Sequence, residues 1–363
     1  MLHALIMAGG GGTRFWPRSR QQKPKQFLTL VGEQTLLQQT AERIEPMVPP
    51  ERTWVITGAA YVEETIRQLP RVPPEHVIGE PCGRDTAPCI ALGAALVQAA
   101  DADAVMAVMA ADHVIEPAQE FRRAAHVAEQ MVQEHPDALV TIGVAPTFAA
   151  TGYGYIERGP EAARRQWIGV FRVASFREKP NPEVAREFVA SGRYFWNSGI
   201  FFWRADTALK ALRDSRPGLA DAARRIADAW PTPRGQAVLA DEYSRLERIS
   251  IDFAVMEKAA DHGRPVLVVQ APFRWDDVGS WIAVERMNPQ DAAHNTVLAR
   301  HCGEDTHGCI IVGDTDKLIA TLGVKDLIII QDGDCILVAD RNREGAIKQL
   351  VDELRRRGLE KYL

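Results

Sequence analysis

The sequence predicts an α/β protein: a mostly parallel sheet with helices on both faces, followed by a small β domain and a terminal helix. Three observations carry this expectation. Over the first two-thirds of the chain short apolar runs alternate with longer helical patterns, and such alternation builds parallel sheets buried on both sides. After Asn288 the pattern changes to short apolar steps separated by turns, the mark of an all-β segment. From Gly345 to Leu363 apolar residues return at helical spacing.

Taken in order, Leu2 to Met7, Trp54 to Thr57, Ala104 to Ala110 and Ala138 to Val144 are apolar runs of strand length. Between them, Leu37, Ala41 and Ile44 share one face of a helix from Leu36 to Ile44, and Phe121, Ala125, Ala128 and Val132 do the same from Ala118 to His135. From Tyr153 the stretches YGYIE, IGVFRVASF and YFWNSGIFFW read as strands extending the same sheet, and three polar helical stretches follow between Asp206 and Leu246. The aromatics of the third stretch, Tyr194, Phe195, Trp196, Phe201, Phe202 and Trp203, are expected in the core. The steps TVLA, CIIVGD, KLIATLG, DLIIIQDGD and CILVAD suggest a small β domain, for which a hexapeptide coil is one irregular form. In the tail, Ile347, Leu350, Val351 and Leu354 form an apolar stripe. Either its own domain or a second copy meeting it about a two-fold axis must cover it. The expected boundaries are 1–288 for the α/β domain and 289–363 for the β domain with its helix.

Composition narrows the function. At roughly 150 residues per domain, 363 residues suggest two domains, and 46% hydrophobic with 25% charged residues is the balance of a globular chain. Forty-three Lys+Arg against 48 Asp+Glu give a formal charge of −5, which offers no general attraction to nucleic acid or to an anionic membrane. Five cysteines without a C-x-x-C pair argue against a disulfide framework and a zinc knuckle. No apolar run reaches the ~18 residues of a membrane span. A cytoplasmic setting is expected.

The chemistry begins at Ala8-Gly9-Gly10-Gly11-Gly12-Thr13-Arg14, directly after the first apolar run. Successive glycines let main-chain N–H groups approach an anion closely, because no Cβ intervenes. The Walker pattern requires Gly-Lys-Ser/Thr at its end, and the dinucleotide fingerprint requires a glycine where Phe15 stands, so neither fits. Instead the glycines lead into a concentration of cations, Arg14, Arg18, Arg20, Lys23 and Lys25, stiffened by Pro17 and Pro24. In a parallel sheet ligands sit beyond the carboxyl ends of strands, which singles out this run and Asp112-His113.

These residues resemble a known family. LIMAGGGGTRFWPRSRQQKPKQFL is similar to the signature of sugar-nucleotide pyrophosphorylases, and its FWPRSR and PKQFL parts resemble the short mannose-1-phosphate guanylyltransferases (GDP-mannose pyrophosphorylases). EPCGRDTAPCIALGA, ADHVI, GYGYIE, FREKP, WNSGIFFW, SIDFAVMEKA and WDDVGSW continue the likeness in the family's order over nearly the whole chain. The resemblance implies a glycosyltransferase-type, Rossmann-like nucleotidyltransferase sheet and a left-handed β-helix-like C-terminal segment. It implies that GTP and mannose 1-phosphate give GDP-mannose and pyrophosphate with Mg²⁺, or another divalent cation. A two-fold homodimer is compatible with it; nucleic acid and membrane are not expected partners.

It also implies residue roles. Arg14 contacts the triphosphate, its planar fork suiting two oxygens, and Lys25 of the PKQ motif stabilises the leaving group, with Lys23 and Arg18 as unranked helpers. Asp112 of ADH and Asp277 of WDDVGSW are the metal carboxylates, Asp276 the weaker candidate, and His113 a hydrogen-bonded neighbour. Glu80, in the loop Gly79-Glu80-Pro81, reads the guanine edge, whose N1–H and N2–H₂ one carboxylate can accept. Asp85 stands where the family more often has Asn, which leaves base recognition open between the two. Gly154, with Glu157 three residues on, Glu178, Lys179 and Asn197 belong to the sugar phosphate. The alternatives are a pyrophosphorylase for another nucleotide and hexose pair and a silent regulatory homologue; silent copies lose the lysine or a carboxylate, and Lys25, Asp112 and Asp277 are all present. Mannose 6-phosphate isomerase activity belongs in larger relatives to an additional C-terminal domain, and a chain ending at Leu363 is expected to lack it.

Overall fold

A computed structural model describes residues 1–10, 12–259 and 263–363. These fall into two compact units that are not continuous in sequence. The first comprises Met1–Gly9, Thr40–Ala111 and Ile115–Trp275; the second comprises Gly10–Gln39, Asp112–Val114 and Asp276–Leu363. The strands in chain order are β1 Leu2–Ala8, β2 Thr53–Gly58, β3 Val77–Glu80, β4 Val105–Ala110, β5 Val114–Glu116, β6 Leu139–Val144, β7 Gly154–Arg165, β8 Ile168–Glu178, β9 Tyr194–Arg204, β10 Val266–Gln270 and β11 Arg274–Asp276. Those of the C-terminal segment are β12 Thr296–Leu298, β13 Arg300–His307, β14 Ile310–Val312, β15 Leu318–Lys325, β16 Leu327–Asp332 and β17 Cys335–Asp340. The helices are α1 Leu36–Ile44, α2 Val62–Gln68, α3 Thr86–Ala100, α4 Ala118–Glu134, α5 Pro182–Ser191, α6 Ala205–Ser215, α7 Pro217–Ala229, α8 Gly235–Ser244, α9 Trp281–Met287 and α10 Ile347–Arg356.

The first unit is built on a nine-stranded sheet in the order β3-β2-β1-β4-β9-β6-β10-β8-β7. β1, β2, β3 and β4 pair in parallel, as do β6 and β10, while β8 and β9 run against their neighbours. The sheet is therefore mostly parallel in strand direction, as expected. Leu5, Val108 and Phe201 pack into one cluster with α3, α6 and α7. Ile6, Ala107 and Phe202, which alternate with them and so point the other way, are also buried. Both faces are thus covered, which is why these strands read as unbroken apolar runs. Phe195, Trp196, Phe201, Phe202 and Trp203 are core residues, as predicted, while Tyr194 is half-buried and stacks on Phe188.

In the second unit, the β12–β14–β16 ladder is parallel, pairing Thr296, Ile310 and Ile328 as successive rungs. β13 and β15 form a second parallel pair, so the chain winds as a coil, and β17 closes it antiparallel to β16. Inward residues Ile310, Ile328, Ile330 and Leu337 join Phe15, Trp16, Leu28, Trp281, Ile347 and Val351 in one apolar cluster. The tail stripe is only partly inside it. Ile347 and Val351 are buried, but Leu350 is 39% exposed, because the face α10 gives to the cluster is narrower than the apolar stripe in its sequence.

Candidate active site

The glycine run leaves β1 and enters the second unit. Gly10 and Gly12 have φ of +97° and +55°, in the region that favours glycine, and a Cβ on Gly12 would lie 2.4 Å from the Cβ of Lys25. Gly11 lies outside the described residues. Phe15 N donates to Gly12 O at 2.9 Å, and the Ser19 hydroxyl donates to the same carbonyl at 2.7 Å. Thr13 opens the short 3-10 turn Thr13–Phe15, and Arg14 points outward, exposed and without an ion pair among the described residues. In the first unit, the Thr57 hydroxyl donates to Ala8 O at the end of β1.

Lys25 is buried, and its Nζ donates to Asp112 Oδ2 at 2.7 Å and to the main-chain O of Asp277. Burial by itself would raise the Asp112 carboxyl, but the Lys25 ammonium and His113 hold it below its ordinary value. His113 Nε2 stands 3.8 Å from Asp112 Oδ1, beyond hydrogen-bond distance. Lys23, by contrast, is exposed. Arg18 faces Asp314 and Asp332, each at 3.7 Å.

The two adjacent aspartates differ sharply. Asp276 is buried; its Oδ2 accepts from Arg286 Nε and Nη2 at 2.9 and 2.7 Å, and its Oδ1 accepts from Val278 N at 2.8 Å. Asp277 Oδ1 accepts from Gly279 N at 3.1 Å. Val278 has φ 43°, a costly conformation for a β-branched residue, held while its side chain is fully buried. Among the described residues no three His, Cys, Asp or Glu side chains gather as a metal cage. A cation held by Asp112 and Asp277 would complete its shell with phosphate oxygens and water, which is the preference of Mg²⁺.

The first unit carries the remaining sequence-selected residues in two groups. Glu80 is not a loop residue: it closes β3, paired with Gly58 in register, and is buried. The Tyr243 hydroxyl on α8 donates to its Oε1, and a Cβ on Gly9 would lie 3.6 Å from its Oε2. Burial pushes the Glu80 carboxyl up to about 7, against a smaller downward pull from Tyr243. Tyr243 is 163 positions away, and nothing in the sequence points to it. Asp85, exposed, caps α3 through Thr86 N at 2.8 Å with φ 69°.

In the second group, Gly154 and Glu178 face each other across the β7–β8 ladder. A Cβ on Gly154 would lie 2.3 Å from Glu178 Oε2 and 3.4 Å from the Cβ of Asn197. Lys179 Nζ donates to Glu178 Oε1 at 2.8 Å, and its residue has φ 46°. Asn197 Nδ2 donates to Asp252 Oδ1 at 2.7 Å while its Oδ1 accepts from Gly199 N at 3.2 Å. Asp252 opens a π-helical turn, Asp252–Met256, a form frequent at functional sites. Burial, then Glu178, push its carboxyl up to about 6, although Asn197 opposes this. The SIDFAVMEKA stretch signals the segment but not this residue. Glu157 is turned to Ser175 and Arg193 instead.

The sequence profile described as "Nucleotidyl transferase" matches residues 3–294. The chain belongs to the nucleotidyl transferase family. A second profile, "MannoseP isomerase/GMP-like beta-helix domain", matches residues 299–354. Among its relatives, the mannose-1-phosphate guanylyltransferase of Escherichia coli K12 is 39% identical over 364 residues, covering 98% of this chain and 74% of that protein. The enzyme of the same description from Klebsiella pneumoniae is 38% identical over 368 residues, covering all of this chain and 76% of its own. A Thermus thermophilus crystal structure described as a "mannose-1-phosphate geranyltransferase" matches with a TM-score of 0.86 and 36% identity, over 98% of this chain and 99% of that one. Lys25, Asp112 and Asp277 all lie within the matched residues 3–294. No helix of the described residues is long and apolar enough to cross a membrane.

Proposed function

We propose that the protein joins GTP to α-D-mannose 1-phosphate, releasing pyrophosphate and forming GDP-mannose. The observation that carries this reading is the Lys25 ammonium held on the Asp112 carboxylate and the Asp277 carbonyl at the foot of the glycine loop. A sugar phosphate oxygen attacks the α-phosphorus in line, so two polyanions must be brought together and the departing pyrophosphate stabilised. The N–H groups of the loop from Ala8 to Thr13 and the open fork of Arg14 serve the triphosphate. Lys25 serves the charge that develops on the leaving group.

Asp112 and Asp277 would hold Mg²⁺, which when bound neutralises phosphate charge as a Lewis acid. Asp276 is assigned no ligand role, since Arg286 and Val278 already occupy its oxygens. Glu80 accepts from the guanine edge, with Asp85 as competitor, and Gly154, Glu178, Lys179 and Asn197 take the sugar phosphate. This reading keeps 1–288 as the catalytic domain and 289–363 as the β-helix-like domain, and five free cysteines suit a cytoplasmic setting. A homodimer is the oligomer proposed. Pyrophosphate release from GTP and mannose 1-phosphate, measured with and without Mg²⁺, tests the assignment.

A further inference from the structure

Arg18 and Arg20 look in the sequence like two more phosphate cations. In the structure they are turned to the C-terminal coil. Arg20 Nη2 donates to Asp334 Oδ1 at 2.9 Å and to the main-chain O of Asp332 at 3.1 Å, and lies 3.5 Å from the Asp332 carboxylate. Arg18 reaches between Asp314 and Asp332. Asp314 is itself fixed. Asp314 Oδ2 accepts from Gly333 N at 2.9 Å and from Gln331 Nε2 at 3.1 Å, and buried Gln331 accepts in return from Asp314 N at 2.9 Å. Gly333 takes φ 54°, which lets the turn between β16 and β17 present both flanking aspartates.

From this turn the contacts run without a break to the glycine loop. Arg20 and Lys23 exchange main-chain hydrogen bonds at 3.0 and 2.9 Å, which fixes the chain two residues before Lys25. Ser19, buried beside Arg20, holds Gly12 O through its hydroxyl and Phe15 O through its N–H. A second tie comes from Trp16, whose Nε1 donates to Tyr362 O at 2.7 Å.

We propose that the turn Asp332-Gly333-Asp334 is a positioning device for the reaction, gripping Arg18 and Arg20 so that Gly12 and Lys25 are held in working geometry. None of its residues touches substrate. A glycine-rich loop loses more conformational freedom on ordering than any other sequence, so an external anchor has a large effect on how often it is correctly placed. The anchor comes from the segment that the linear division of the chain assigns to the β domain. The inference rests on reading the loop as a phosphate site.

The test is a double-mutant cycle with a second readout. Arg20→Met and the paired change Asp332→Asn with Asp334→Asn should each lower kcat by about tenfold or more, the scale of a misplaced catalytic group, with the GTP KM changed by less than about twofold. Combined, they should cost clearly less than the sum of the two, because they share the contacts of Arg20 with the Asp332 and Asp334 carboxylates. Amide hydrogen exchange should speed up across residues 12–27 in each variant and stay as in the wild type in β1 and β4. If the paired variant does not fold, Arg20→Lys, which keeps the charge and loses the fork, should show the same exchange signature. Additive losses, or a lower melting temperature with kcat and exchange over 12–27 unchanged, would assign these acids to stability alone and overturn the proposal. A wild-type protein without turnover would instead remove the functional reading, and the exchange arm would still decide the anchor.

Discussion

The Lys25 ammonium sits 2.7 Å from Asp112 Oδ2 and bonds the main-chain carbonyl of Asp277, so a single buried cation ties together residues 87 and 252 positions away in sequence. Its neighbour in the same motif, Lys23, is exposed. Lys25→Met should therefore lower kcat by about 10²–10³, the cost of removing one preorganised charge donor, and weaken GTP binding less. Lys23→Met should stay within about threefold of the wild type. Steady-state kinetics with GTP varied separates the two effects; a change confined to KM in Lys25→Met would make it a binding residue.

Asp276 and Asp277 should respond in opposite ways. Asp276→Asn loosens a buried ion pair with Arg286 and is expected to cost about 1–3 kcal/mol of stability, seen as a lower melting temperature. Asp277→Asn should leave the melting temperature within a degree or two and abolish most Mg²⁺-dependent turnover, as should Asp112→Asn. Thermal melts and a Mg²⁺ titration of each variant check this. A stable Asp276→Asn with lost metal response would exchange the two roles.

Glu80 provides a pH prediction. Its carboxyl lies at about 7 against an ordinary 4.5, so between these values the folded protein keeps a proton that the unfolded chain releases. Its contribution to stability is thus fully present below about 4.5 and is lost as pH rises to about 7. Base reading has the opposite sign, since the ionised carboxylate is the acceptor for guanine. Preference for GTP over ITP, which lacks the 2-amino group, should rise through pH 7 toward about tenfold. Glu80→Gln should flatten that rise. Tyr243→Phe removes the bond that pulls the carboxyl down and should move the rise to higher pH. A preference unchanged in Glu80→Gln but lost in Asp85→Asn would move the reader to Asp85.

Regular spacing and unbroken runs are what make an element legible in this sequence. β1, β2, β4 and β6 are unbroken apolar runs, and α4 is strongly amphipathic, so both kinds can be read directly. Helix α3 escapes such a reading because it is apolar all round, buried from Ala87 to Val97, and so has no face for periodicity to find. Strand β13, RHCGEDTH, escapes it because its side chains are polar and mostly exposed, and the backbone ladder to β15 is what forms it. Helix α5 does carry a signal, Asn181 capping Val184 N with Pro182 at its first position. In the candidate site, motif residues can be named individually. Their partners Tyr243, Asp252 and Asp332 cannot, because each meets its motif residue only through long-range folding.

The two apolar residues at the centre of the tail helix separate packing from assembly. Val351 is buried, and Val351→Glu should destabilise the second unit by about 3 kcal/mol or more. Leu350 is 39% exposed, so Leu350→Glu should leave the melting temperature nearly unchanged and weaken any dimer that uses this face. Sedimentation of both proteins decides it. A wild-type chain that remains monomeric at high concentration rules out the homodimer.

Pyrophosphate release by the purified protein, measured across a grid of nucleoside triphosphates and hexose 1-phosphates with and without Mg²⁺, decides which pair the enzyme joins. The highest kcat/KM should fall on GTP with mannose 1-phosphate, should require the divalent cation, and should drop by at least about 10² in Lys25→Met. Turnover highest on another nucleotide or another hexose 1-phosphate, or none on any pair, would rule out this activity.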